Sequence, residues 1–491
     1  VPVLNRLPAA LRFGAGLLLV SWATVAAADP WLAPGDAGLR SDVQLLSDQG
    51  IVRTPVTSWP LSWADLVRDL DRVRATDLST PSLQDAYDRV RREARRNTRV
   101  GVQETYVEVG GALHPIRTRG FADSPREEGE LASGLEWIGD RFAARLEVRG
   151  VTSPEDGRSV RFDGSYVGMV AGNVMISAGY MEKWWGPGWA GSLILSNAAR
   201  PIPSLTIERN YSDPFDAPVL KWLGPWRASF QAGLLEGNRD DYPNAHFMAL
   251  RIAFRPARGL EIGLSRTAQL CGDGRRCTAG TYWDMIVGDD NDQSIEEQPG
   301  NQLAGFDVRY ALPKGLPLAV YGQAIGEDEA GFLPSKYLGL AGAETWGRAG
   351  RWTWRAYAEY AKTACDFARS PPTYGCAYES SIYTDGYRHR DRPIGHAWDR
   401  DARGVTVGAV ANRDRWSVDA RAYDVDLNLA DAGEQHTLAP RRATLRGIEV
   451  AGTLNARGSR LRVGLGYDDP SGPRVAVDSG AKVFVEWRAR L

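Results

Sequence analysis

The chain has 491 residues, with 59 Lys and Arg against 61 Asp and Glu, for a formal net charge of −2. A balance so near neutral gives no overall steering toward nucleic acid or an anionic membrane surface. Glycine (53) and aromatics (17 Trp, 18 Tyr, 12 Phe) are plentiful, whereas Cys (4) and Met (5) are scarce.

Residues 1–28 read as an export signal. Arg6 and Arg12 form a basic start, 14–27 is apolar, and Ala26-Ala27-Ala28 offers a cleavage site before Asp29. The competing reading, a membrane anchor, is disfavoured by the short apolar stretch. Without this segment 57 basic residues face 61 acidic ones, a net of −4. After it no run of eighteen apolar residues occurs, which excludes a helical membrane protein. An exported soluble β protein or an outer-membrane β-barrel remains, since barrel strands are only half apolar.

Residues 29–98 have helical periodicity and are expected to form a small periplasmic bundle. Leu39, Val43 and Leu46 share one face. Ser62-Trp63-Ala64-Asp65 resembles a capping box before Leu66, Leu70 and Val73. Thr80-Pro81 starts a third helix, with proline at its first position, followed by Leu83, Tyr87 and Val90. Three short amphipathic helices result, with no catalytic pattern.

From residue 99 to 491 the period is two. Phe142, Ala144, Leu146 and Val148 alternate with Arg145, Glu147 and Arg149, and Met248, Leu250, Ile252 and Phe254 with Arg251. Trp352 to Tyr360, Trp416 to Ala422, Leu461 to Tyr467 and Val483 to Leu491 repeat the pattern. These runs are roughly nine to eleven residues, the span of a tilted membrane strand, against about five or six in soluble sheets. Trp352, Tyr360, Trp416, Tyr467 and Trp487 sit at run ends, as interface girdles require. Tight turns (349–350, 412–415, 456–459) alternate with long polar excursions (271–301, 364–402). The pattern predicts an all-β transmembrane barrel of about eighteen antiparallel strands. Its last strand, ending at Leu491, should seal against the first.

Four cysteines fall into two local pairs, Cys271 with Cys277 and Cys365 with Cys376, each inside a long loop. An oxidising compartment makes two loop-stapling disulfides the expectation. Neither pair has His or Cys at metal-ligand spacing, so no metal is expected. The acidic stretches 288–292 and Asp468-Asp469 lack a calcium-loop pattern and read as solvated loops. The five histidines are scattered, and neither G-x-S-x-G nor a P-loop occurs. No cofactor and no catalytic residues are expected.

Two stretches remain as candidate binding sites. Residues 382–398 combine Tyr383, Tyr387, Arg388, His389, Arg390 and Arg392. Aromatic faces stack on sugar C–H surfaces and Arg pairs with carboxylates, but the same residues can also pack on neighbouring loops and close the mouth. Residues 180–209 are the densest in Trp, Gly and Pro, with Lys183, Trp184, Trp185, Gly186-Pro187-Gly188, Trp189 and Arg200. That density fixes a specific backbone. The indoles would either contact glycan or wedge the barrel interior.

The elements E-K-W-W-G-P-G-W (182–189) and S-L-I-L-S-N-A-A-R-P-I-P (192–203) resemble the central signature of the Wzi-type capsule assembly proteins. Trp31-Leu32-Ala33-Pro34-Gly35-Asp36 is similar to the opening of that family. The resemblance implies an eighteen-stranded outer-membrane barrel with a helical bundle blocking its periplasmic end. It further implies a lectin-like, non-enzymatic role in holding capsular or extracellular polysaccharide at the cell surface. The expected partners are that polysaccharide, outer-membrane lipid and the polysaccharide export machinery. The cysteine pairs are not part of the resemblance. A diffusion channel for small solutes, suggested by the charged inward face at Arg145, Glu147 and Arg149, and a sugar- or lipid-modifying enzyme are the alternatives.

Overall fold

The computed structural model describes residues 31–287, 298–312, 316–330, 333–431, 433, 435–456 and 458–491. The expected signal segment and the acidic stretch 288–292 lie outside the described residues. Nineteen strands form one closed antiparallel ring. One of them, Val160–Arg161, is a two-residue piece that shares a flank of Phe142–Thr152 with Tyr166–Ala171, so eighteen strands make the wall. The seam closes between Gly480–Arg490 and Gly101–Leu113, with Val485 opposite Gly111 and Trp487 opposite Val109. No helix among the described residues is long and apolar enough to cross a membrane.

Alternation sets the two faces of the wall. Along the last strand Val483, Val485 and Trp487 point outward and are exposed, while Lys482, Phe484 and Glu486 point inward and are buried. The same rule places Leu131, Leu135 and Trp137, and Leu461, Leu465 and Tyr467, on the outer surface. An apolar exterior around a charged interior is what a bilayer demands of a barrel. Three strands are shorter than expected: Tyr166–Ala171, Val174–Gly179 and Ser204–Arg209 have six residues each. They stop where the chain leaves the wall for the interior, so half a strand suffices there.

Connections differ at the two ends. One end carries tight turns at 258–259, 350–351 and 414–415, with 210–225 as its longest link. The other carries 114–128, 180–203, 271–299 and 363–402. Helix α1 (Ala37–Asp48), α2 (Trp63–Asp71) and α3 (Pro81–Asn97) sit at the short-turn end. Each starts on a side-chain cap: Asp36 accepts from the Leu39 amide at 2.8 Å, Ser62 from Asp65 at 3.3 Å and Thr80 from Leu83 at 3.3 Å. Helix α3 runs for 17 residues and ends within the basic run 89–99. Val43, Leu46, Trp63, Leu66, Leu83, Ala86 and Val90 bury one shared core among the three helices.

The wall holds these helices through charge. Asp48, at the end of α1, lies 2.6 Å from Arg309 and 3.0 Å from Arg355, two inward arginines on different strands. Arg255 donates to the carbonyls of Val52 (2.8 Å) and Ser47 (3.2 Å), and Glu261 accepts from the amides of Val56 (3.0 Å) and Thr57 (2.8 Å). Charges inside a barrel are costly unless partnered, and here the partners are plug backbone and plug carboxylates.

Candidate functional site

The excursion 180–203 leaves the wall at the long-loop end and folds down into the lumen. Trp184–Trp185 pairs with Ser58–Trp59 as a two-stranded antiparallel piece. The Gly186 amide donates to the Thr57 carbonyl at 2.9 Å. Gly186 takes φ +146, a conformation an L side chain avoids, and a Cβ there would meet Gln323. Arg40 of α1 donates to the carbonyls of Pro187 (2.7 Å) and Gly188 (2.9 Å). Its guanidinium lies 4.2 Å from the Trp189 ring and 4.3 Å from Phe121. Burial pulls the Arg40 guanidinium down to about 10, against the raising influence of Glu344 and Glu359.

Trp189 stacks on Tyr357 with centroids 5.5 Å apart, and its indole N–H donates to Glu344 at 2.8 Å. Trp184, Trp185, Trp189 and Lys183 are all buried. Lys183 Nζ lies 3.7 Å from Glu208, and burial lowers its pKa. Arg200 is held between Asp163 (2.7 Å) and Asp156. Thus the tryptophans wedge the interior.

The second candidate stretch caps the first. Tyr378 and Tyr387 donate to the carbonyls of Leu193 (2.7 Å) and Ile194 (2.8 Å), and Tyr383 to that of Cys271 (2.8 Å). The Ser196 amide donates to the Ile394 carbonyl at 2.9 Å. Gly191 sits so close to His396 that a Cβ would lie 2.1 Å from its ring. Arg388 bridges Asp399 (2.9 Å) and Glu379 (2.8 Å), and His389 contacts Glu236. Burial opposes ionisation of Glu236, but His389 and Arg239 bring it down to about 2. Tyr383, Tyr387, Arg388 and His389 are therefore buried packing and pairing residues, and the loop closes the mouth.

Arg390 is different. It occupies the turn between Arg388–His389 and Arg392–Pro393, beside Arg158 and Arg200. Burial lowers its pKa first, and the positive charges of Arg200 and Arg158 lower it further. Among the described residues its ion-pair partner is Asp156, at 3.8 Å. Arg392 pairs with Glu155, which Arg117 shares. Arg158 is exposed and makes no ion pair among the described residues. Arg390 with Arg158, and Arg392 with Arg117, thus bring two arginine pairs to the long-loop end, around the adjacent acids Glu155 and Asp156. Sequence reasoning singled out Arg390 but not Arg117 or Arg158, because only folding brings their three loops together.

Both disulfides form, Cys271–Cys277 and Cys365–Cys376. His246 approaches the first pair from a neighbouring strand, a proximity invisible in local spacing, but oxidised sulfurs are not thiolate ligands. Asp468, read from sequence as a solvated loop residue, lies in a strand instead, buried and paired with Lys482.

Residues 102–473 match the family model described as capsule assembly protein Wzi. The chain belongs to the Wzi family. A Klebsiella pneumoniae relative, described as an uncharacterized 55.8 kDa protein in the cps region, is 31% identical over 327 residues. That match covers 65% of this chain and 63% of the relative, so it spans less than two thirds of the relative's length. The solved structure of Escherichia coli Wzi superposes with a TM-score of 0.83 at 26% identity, covering 94% of this chain and 99% of that one. That protein is described as an outer-membrane protein involved in group 1 capsule assembly and a carbohydrate-binding β-barrel. This chain is likewise an outer-membrane barrel, of a family of capsule assembly proteins.

Proposed function

We propose that this protein holds acidic polysaccharide at the outer face of the outer membrane, without chemistry. The short-turn end with the three helices then faces the periplasm, and the long loops face outward. The observation that carries the reading is the arginine cluster of Arg117, Arg158, Arg390 and Arg392 at the closed mouth. Like charges held together at a surface are relieved by a polyanion, and guanidinium pairs bidentately with sugar carboxylates. The buried aromatic and basic residues Lys183, Trp184, Trp185, Trp189, Arg200, Tyr383, Tyr387 and Arg388 build the floor under that cluster. Of the sequence-derived candidates, Arg390 is the one we read as contacting glycan, because it lies beside the exposed Arg158. Its supplier would be the polysaccharide export machinery of the same cell.

The test is retention of cell-bound polysaccharide. Replacing Arg158 and Arg390 together by Ala should shift polymer from the cell fraction to the medium while the heat-resistant folded barrel persists. Unchanged distribution in this variant, with the protein present at wild-type level, would overturn the reading.

A further inference from the structure

The lumen is not filled evenly. A crevice of about 460 Å³ runs beside the helices, along the wall strands Gly101–Leu113, Gly129–Ile138, Phe142–Thr152 and Gly480–Arg490. Its mouth opens at the short-turn end, where its lining includes Arg92 and Arg96 of α3, Arg415 of a turn and Arg460 at the start of strand Ser459–Ser471. Its inner end lies at Arg126 and Glu182, under the outer loops. This volume falls in the range of roughly 300–1,000 Å³ typical of sites for small molecules.

Along this wall charge is matched pair by pair. Arg149 bridges Glu108 (2.6 Å) and Glu147 (2.7 Å), Arg145 meets Glu136 at 2.7 Å, and Arg488 meets Glu108 at 2.6 Å. Glu486 breaks the pattern. It is only 9% exposed, lines the crevice, and makes no hydrogen bond or ion pair among the described residues. Its cross-strand neighbour Arg462 is turned to Asp419 at 2.7 Å, and Arg488 is taken by Glu108. Arg460 lines the same crevice, and its buried Nε has no partner. Arg92 and Arg415, both exposed at the mouth, also make no ion pair among the described residues.

The Glu486 carboxylate faces the crevice with no protein donor among the described residues, so a ligand hydroxyl that reaches it gains a charge-assisted hydrogen bond. A simple anion would be drawn by the arginines but repelled by Glu486. A simple cation would meet the reverse. A polyhydroxylated carboxylic acid satisfies both, giving its carboxylate to Arg92, Arg415 or Arg460 and its hydroxyl protons to Glu486. Trp31 and Tyr166, packed edge to face at 5.2 Å, border the same space as buried residues that shape its wall.

We propose that this crevice is a second saccharide site, entered from the periplasmic end, that takes one to three residues of a uronate-bearing chain. It rests on the reading that the protein handles acidic polysaccharide, and it adds a site on the other side of the plug from the outer arginine cluster.

Calorimetric titration of the full detergent-solubilised chain tests it, with trigalacturonate as probe and maltotriose as the neutral control. Trigalacturonate should bind the native chain, and maltotriose more weakly. Arg460→Ala should weaken trigalacturonate binding by about tenfold or more, the loss of one charge-assisted contact. Glu486→Gln keeps the shape, guards against misfolding, and should also weaken it. Arg446→Ala, on the outer wall, should leave binding unchanged. Binding equal in Arg460→Ala, Glu486→Gln and native protein, or no binding to the native chain, overturns the proposal. Failure of the outer-face reading shows separately, as unaltered polymer retention in the Arg158 and Arg390 variant.

Discussion

Two halves of one lumen use the same wall chemistry to opposite ends. On the side of Arg251, Arg255, Glu261 and Arg309, inward charges grip the plug: they bind its backbone, its Asp48 and its Thr57. On the side of Glu108, Glu136, Arg145 and Arg149, inward charges bind one another and leave a crevice. Alternating inward charge therefore does not decide whether a barrel is open. What decides is whether a segment with free backbone groups is available to meet those charges. Here the excursion 180–203 and the helices supply it to one half only.

The sharpest test of the filled half is Trp184→Ala. Trp184 is fully buried, packed edge-on against Phe121 at 5.4 Å and paired in backbone register with Trp59. Truncating such a side chain costs about 3–5 kcal/mol. The wall ladder does not contain it, so the heat-resistant barrel should survive while the helices become accessible to protease. Undiminished protection of residues 31–97 would mean that the excursion does not anchor them.

Arg161→Ala probes the open half. Arg161 lines the crevice and pairs with Glu127, which lines a second cavity of about 190 Å³ among the outer loops. That buried pair, with Asp156 at 3.1 Å, joins a residue lining one space to a residue lining the other. Its removal should raise planar-bilayer conductance in discrete steps above a native chain held near baseline. Equal conductance in both proteins would place the seal elsewhere.

A smaller effect is expected from pH, confined to the mouth. Burial pushes His396 down to about 3 and His436 down to about 4. The unfolded loops take up protons near 6.5 and the folded ones do not, so this stability is full above 6.5 and is lost as pH falls to the folded values. Asp401 works the other way: burial raises it to about 6, so its contribution is present below 3.8 and lost as pH rises through 6. Two histidines outweigh one aspartate. Hydrogen-exchange protection factors, corrected for the intrinsic pH dependence of exchange, should fall at the loops carrying His396 and His436 between pH 7 and 5 while those of the wall strands hold. An equal fall in both regions would erase the distinction between mouth and wall.

The wall was legible because a period of two is written residue by residue, and a strand such as Gly480–Arg490 needs only its own alternation to be recognised. The helices were legible through Leu39, Val43 and Leu46 on one face and through Ser62 and Thr80-Pro81 at helix starts; the Asp36 cap emerged only in the structure. The interior was not. Whether Trp189 meets a sugar or Tyr357 depends on a contact across 168 residues, and nothing in either neighbourhood encodes it. Arg117, Arg158 and Arg390 likewise belong to three loops whose meeting is a product of barrel closure. Glu486 was readable as inward-facing, but its lack of a partner follows from where Arg462 and Arg488 turn.

The pairing of Trp184–Trp185 with Ser58–Trp59 has a mechanical meaning. A load drawn outward on Tyr387 passes through its hydroxyl to Ile194, through the Leu195 carbonyl to the Trp185 amide, and through the Gly186 amide to Thr57. From there Arg251 and Glu261 spread it into the strands of the wall. Tension on that loop is thus shared with the plug and with the two strands that carry Arg251 and Glu261, and is not borne by a single loop.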